Sequence, residues 1–180
     1  MKPRGTLMIE HRLIEKVIGL LTEEDKIITR DKKVNPMFID MAVDFIRTYA
    51  DRTHHGKEED ILFKTLSRKK MDPRDSKMMQ DLIDEHKFAR KTVAELVKAK
   101  EQYISGDKGS LTIIRQKLKA LTDLYPEHIK KEDKEFFPST ERYFSGAELE
   151  KMLGEFYEFD KKMIHEKYQN VYRILSEMMR

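Results

Sequence analysis

Apolar positions recur along the chain at spacings of three and four, the period of helices with one buried face. Leu7, His11, Ile14, Ile18 and Leu21 form the first stripe and predict a helix from about Thr6 to Leu21. The run "TEEDKIITRDKKV" that follows is mostly charged and is expected to be a polar connection. Asn35 before Pro36 is a start signal, a capping side chain followed by a residue whose missing N–H is not needed in the first turn. The second helix is expected to reach about Ser67, with Gly56 inside it. Asp72 and Pro73 repeat the signal, and Met79, Leu82, His86, Ala89, Val93 and Leu96 carry a third helix to about Ile104, where "SGDKG" stops it. The fourth begins near Ser110 and has the most regular stripe: Leu111, Ile114, Leu118, Leu121, Tyr125, His128 and Glu132. Pro126 interrupts it and predicts a kink or local rearrangement rather than a stop. Ser145, with Glu148 three positions on, makes a capping box for a fifth helix over about 146–179.

Short connections make consecutive helices antiparallel neighbours, so the expected fold is all-α, an antiparallel up-down four-helix bundle with an additional C-terminal helix. The 180 residues suit a single domain spanning 1–180, with the bundle core over about 6–140. A chain that is 38% charged and 39% hydrophobic, with only 7 Gly and no Trp, fits long amphipathic helices. Its 36 basic and 33 acidic residues are interleaved, leaving no basic stripe for a phosphate backbone, so nucleic acid is not an expected partner. No apolar run approaches the ~18 residues of a membrane span, and the first residues lack a signal-peptide core, so a cytoplasmic protein with no membrane role is expected. The absence of Cys removes disulfides, thiolate nucleophiles, Cys-ligated zinc and iron-sulfur clusters, leaving His and carboxylate as the strong metal ligands.

These ligand types recur in a duplicated pattern. "HHGKEEDILFK" from His54 aligns without a gap on "HIKKEDKEFFP" from His128, which matches Lys57 to Lys131, Glu58 to Glu132 and Phe63 to Phe137. Upstream, "IEHRLI" around His11 resembles "DEHKFA" around His86, and the two His-to-His separations are 43 and 42 residues. A helical hairpin with one His on its first helix and HxxxE on its second therefore occurs twice. Residues four apart share a helix face, so His54 with Glu58 and His128 with Glu132 each present two ligands to one side. That side is the apolar one, while Lys57 is expected to face water. A lone core His is usually just a hydrogen-bonded residue. Burying two carboxylates costs several kcal/mol, and the stripes hold no Lys or Arg to offset them. A cation supplies the offset; the competing reading is a polar network without metal.

Imidazole and carboxylate suit iron, manganese or zinc. Six or seven ligands exceed one tetrahedral zinc, and two facing HxxxE pairs can share carboxylates between two ions. Neither the Glu-x-x-His of ferritin-like proteins nor HExxH is present. The ordered set His11, His54 with Glu58, His86, and His128 with Glu132 resembles the hemerythrin-like (HHE cation-binding) family over about residues 6–140. The resemblance implies two non-haem iron ions bridged by both Glu and by an oxo or hydroxo group, with an open position for a small ligand. Two departures stand out. Arg90 occupies the place where oxygen carriers have a second His on helix three, and Glu132 lies four residues after His128 where they have Asp at five. These align the chain with the part of the family known for sensing, nitric oxide chemistry, iron-sulfur repair or peroxide removal.

With octahedral irons, four His, two bridging Glu and one bridging oxygen leave two positions open. His55 is a candidate for one, its alternative being a solvated side chain. Tyr125, one turn before His128, and His165, beside the Ile164, Tyr168 and Val171 stripe, are candidate outer contacts or extra ligands. The main expectation is binding of a diatomic or peroxide ligand, with Leu7, Ile14, Ile61, Leu82 and Leu121 slowing access of water and protons. The alternatives are a catalase-like or peroxidase-like enzyme with Tyr125 as donor, and an interaction module that metal merely stabilises. The sequence does not fix the oligomeric state.

Overall fold

The computed structural model describes the backbone of residues 2–178 and the side chains of 2–163 and of Lys167. Five helices follow one another: α1 Pro3–Asp31, α2 over 36–66, α3 Pro73–Ile104, α4 over 110–140 and α5 Gly146–Met178. There is no strand among the described residues. Ties between opposite helix ends make the first four helices antiparallel. Val34 N–H at the start of α2 donates to the Tyr103 hydroxyl at the end of α3, and Arg115 near the start of α4 pairs with Asp25 near the end of α1. The Tyr143 hydroxyl, just beyond α4, accepts from Asp72 N–H at the start of α3. α5 lies across α1 and α2. No described helix is long and apolar enough to cross a membrane.

The start signals act with one exception. Asn35 Oδ1 accepts from Phe38 N–H at 3.3 Å, and Ser145 with Glu148 forms the reciprocal box, Ser145 N–H to Glu148 Oε2 at 2.8 Å and Glu148 N–H to Ser145 Oγ at 3.3 Å. Asp72 does not cap; its carboxylate pairs with Arg142. The expected connection after Leu21 is a correction: α1 continues to Asp31 because Glu24 and Ile28 prolong its buried face, and the charges are its wet side. The helix ends at Lys32, whose left-handed backbone turns its N–H onto Ile28 O.

Three stretches depart from α winding. α2 is π-wound over Ile46–His55 and Glu58–Phe63, and α4 over Glu132–Phe136. Pro126 itself sits within unbroken α winding, Ser110–Lys131, so the rearrangement expected at it is absent; the π turn of α4 begins only at Glu132. A π turn closes i to i+5 and gives the inward face an extra position. That is how adjacent side chains both turn inward, His54 beside His55 and Glu132 beside Asp133.

The apolar interior is in two parts. One contains Ile14, Ile18, Leu96, Leu118, Leu121 and their neighbours; the other contains Leu7, Leu62, Phe63, Leu82, Phe136 and Phe137, closed by Met152 and Phe156 of α5. Between them lies a layer of His and Glu.

Candidate metal centre

Each of the first four helices passes from one apolar cluster to the other, and each places its His in the layer between. His11 follows Leu7 by one turn and precedes Ile14; His86 stands between Leu82 and Ala89. His54, His55 and Glu58 come from the π-wound part of α2, and His128 and Glu132 from the second half of α4. All seven are buried, with no more than 4% of any one exposed. Their ligand atoms form two groups, His55, Glu58, His86 and His128 in one and His11, His54, Glu58 and Glu132 in the other, all within 4.8 Å of one another in each group. Glu58 belongs to both.

The outer nitrogens decide which way the rings point. His11 Nδ1 lies 2.7 Å from Asp133 Oδ1, His54 Nδ1 2.8 Å from Glu10, His86 Nδ1 2.7 Å from Glu59, and His128 Nδ1 2.8 Å from Glu85. Each Nδ1–H donates outward to a carboxylate, which fixes the ring orientation and turns Nε2 inward, where it meets either a proton or a cation. Among the described residues the inward atoms meet only one another: His11 Nε2 is 3.1 Å from Glu132, His54 Nε2 3.5 Å from Glu58, and His86 Nε2 3.3 Å from His128 Nε2. The Nε2 atoms of His11 and His54 and all four oxygens of Glu58 and Glu132 lack a hydrogen-bond partner. Buried acceptors facing acceptors are costly unless something positive lies between them. The donor set, imidazole nitrogen and carboxylate oxygen, fits divalent cations.

Electrostatics lead to the same place. Burial pushes the Glu58 carboxyl well above the usual carboxylate range, and Glu132 pushes it further. Burial opposes charge on Glu132 as well, but His128, His11 and His86 outweigh it and hold that carboxyl below the usual carboxylate range. His11 loses by burial and gains more from Asp133 and Glu132, reaching about 9. Burial takes His54 down to about 4 and lowers His55 and His86. Without a cation, the cluster therefore stores protons on Glu58 and His11 that ligation would displace.

A comparison with family models matches residues 3–139 to the hemerythrin HHE cation binding domain. The chain belongs to that family. Comparison with curated proteins and with solved structures gave no significant match. The match explains the layer as the cation-binding layer of a hemerythrin-like domain, and it ends before α5.

Within this hemerythrin-like layer the structure brings together His11, His54, His55, Glu58, His86, His128 and Glu132. His55 is not solvated: its ring stacks on His86 with centroids 3.7 Å apart, and its Nδ1 lies 3.4 Å from Asp51. Tyr125 stands beside it, ring centroids 6.4 Å apart, with its hydroxyl buried and unpartnered. Tyr125, His55, Asp51 and Arg90 line a cavity of about 80 Å³ between α2, α3 and α4. His165 lies outside the residues whose side chains are described. Arg90 turns outward, 2.7 Å from both Asp51 and Glu59, so it holds carboxylates that in turn face His55 and His86.

Lys57 contradicts the expectation of a solvent-facing side chain. It is fully buried between Glu10 and Asp160 because α5 covers that face of α2. The outer carboxylates were also missed. Their signal was present as the paired "EH" at Glu10–His11 and Glu85–His86, and as the acidic residue after each HxxxE glutamate, Glu59 and Asp133. What the linear order hides is that each serves a His on another helix.

Proposed function

We propose that the chain is a non-haem di-iron protein that binds a small diatomic or peroxide ligand at an open iron position. The observation that carries this reading is the pair of buried donor groups sharing Glu58, with inward nitrogens and oxygens that have no other partner. His55, His86 and His128 would hold one ion, His11, His54 and Glu132 the other, with Glu58 common to both groups. The ions would supply electrons and an electrophilic position for the ligand. The residues do the rest. Asp133, Glu10, Glu59 and Glu85 orient the four imidazoles through their Nδ1–H groups. The group of His11 and His54 has one imidazole fewer than the group of His55, His86 and His128, and we assign the small-ligand position to it. Phe137, stacked 5.9 Å from His11, and Leu7 and Leu62 exclude water on that side.

The unpartnered Tyr125 hydroxyl beside the cavity favours a second reading, turnover of peroxide with this phenol as donor. Steady oxygen evolution from peroxide, lost in Tyr125→Phe, would support turnover over binding. The main reading is tested on protein purified without added metal. Iron near two equivalents and charge-transfer absorption that responds to oxygen or azide are expected, with both lost in His128→Ala. Protein that takes up no iron in either oxidation state would refute it.

A further inference from the structure

α5 lies beyond the part of the chain that matches the family, yet it touches α2 at the level of the His and Glu layer. Three contacts define the meeting. Gly56 lets it approach: a Cβ there would stand 2.7 Å from the tip of the Phe159 ring. One residue on, Lys57 sends its ammonium group under α5, 2.7 Å from Asp160 Oδ1 and 5.9 Å from the centre of the Phe156 ring. The same ammonium pairs with Glu10 Oε1, and Glu10 Oε2 accepts from His54 Nδ1 at 2.8 Å. An unbroken chain of charge thus runs from Asp160 through Lys57 and Glu10 to His54.

The duplicated half provides an internal comparison. Lys131 corresponds to Lys57, Glu85 to Glu10 and His128 to His54, and the same contacts recur, Lys131 on Glu85 and Glu85 on His128. Among the described residues no α5 side chain is paired with Lys131, which is 29% exposed against 0% for Lys57. A buried ammonium group holds its carboxylate more firmly than a hydrated one, because water cannot replace the partner. The two halves share the contacts of Lys, Glu and His and differ in what lies outside the Lys.

We propose that α5 is a clamp on the His11 and His54 half of the centre, with Lys57 as the positioning residue that Asp160 locks against Glu10, so that α5 sets how tightly this half holds its divalent cation. This rests on the two-cation reading above. The half that α5 clamps is also the one with fewer imidazoles, where the fixed orientation of each remaining ring counts most. Changing an outer partner of a ligating His weakens metal binding by roughly 10–100-fold, and the loss should fall on one cation of the two.

The test uses the full chain, stripped with a chelator and titrated with zinc(II) against a chromogenic competitor, with cobalt(II) absorption reporting each equivalent. Asp160→Asn keeps size and leaves Lys57 its pair with Glu10, so the metal-free protein should still fold, with its melting curve recorded beside each titration. It is expected to weaken one equivalent roughly 10–100-fold and leave the other, with a changed cobalt spectrum for that equivalent alone. Asp160→Glu should restore both, and Lys131→Met should lose less than Lys57→Met. Equal weakening of both equivalents, or none, overturns the clamp, as does a loss in Lys131→Met as large as in Lys57→Met. Failure of the parent chain to bind two equivalents overturns the two-cation reading and this inference with it; two equivalents bound unchanged by Asp160→Asn overturn the clamp alone.

Discussion

Glu58→Gln should move stability in opposite directions in the metal-free and metal-loaded protein. Glu58 is fully buried, and its two oxygens and the two of Glu132 have no hydrogen-bond partner. Its carboxyl is pushed well above the usual range by burial and by Glu132, so the metal-free fold must either protonate it or bear two buried charges. An amide of the same shape is neutral and offers donors to Glu132 and to His54 Nε2, which lies 3.5 Å from Glu58 now. Satisfying groups of this kind is worth about 1–3 kcal/mol. For a chain of this size that raises the metal-free melting temperature by roughly 2–10 °C. With metal the sign reverses. A cation present at a thousand times its dissociation constant stabilises the fold by about 4 kcal/mol, and the variant loses that linkage because a shared anionic ligand has gone. The assay is thermal or urea unfolding of both proteins, after chelation and after reloading with zinc(II) or iron(II). If Glu58→Gln destabilises both forms alike, the carboxylate is a member of a metal-independent polar network and the reasoning fails.

Loading metal near pH 7.5 should release protons. His11, held at about 9 by Asp133 and Glu132 against the opposing effect of burial, is charged there, and ligation requires it neutral; calorimetric heats that do not vary with the ionisation enthalpy of the buffer would contradict this. The same raised value gives the metal-free fold a contribution that is complete below the unfolded value of 6.5 and is lost as pH rises through about 9. Chelated protein should therefore be less stable at pH 9.5 than at pH 6.5 by more than the loaded protein is, and equal changes in the two forms would count against it. Glu24→Leu should stabilise the chain by about 1–2 kcal/mol, since Glu24 is buried between Leu21 and Ile28 with Oε1 unpartnered; a lower urea midpoint would show that its other oxygen is needed.

The candidate ligands were legible because period and chemistry disagreed. A His or Glu on an apolar stripe conflicts with burial, and the conflict recurs in two hairpins at nearly the same separation. The end of α1 was not legible. Charges crowd residues 22–33, and the buried pair Glu24 and Ile28 is too sparse in the sequence to outweigh them. His55 was ambiguous for a related reason. On α winding, a neighbour of His54 turns about 100° away, whereas the π winding brings both rings inward.

By itself, the sequence determined the helices and the inner His and Glu, because each depends on spacing within one helix, and the antiparallel order, because the connections are short. Tertiary structure alone decided the contacts between helices. Glu10 orients His54 and Asp133 orients His11 across distances of 44 and 122 residues along the chain. Arg90 became a holder of outer carboxylates rather than an inner ligand. Lys57 and Lys131 occupy the same place in the repeat, and nothing in their local sequence tells them apart. Only the packing of α5 buries one and leaves the other wet, because burial belongs to the surface that another helix covers and not to the segment that carries the residue.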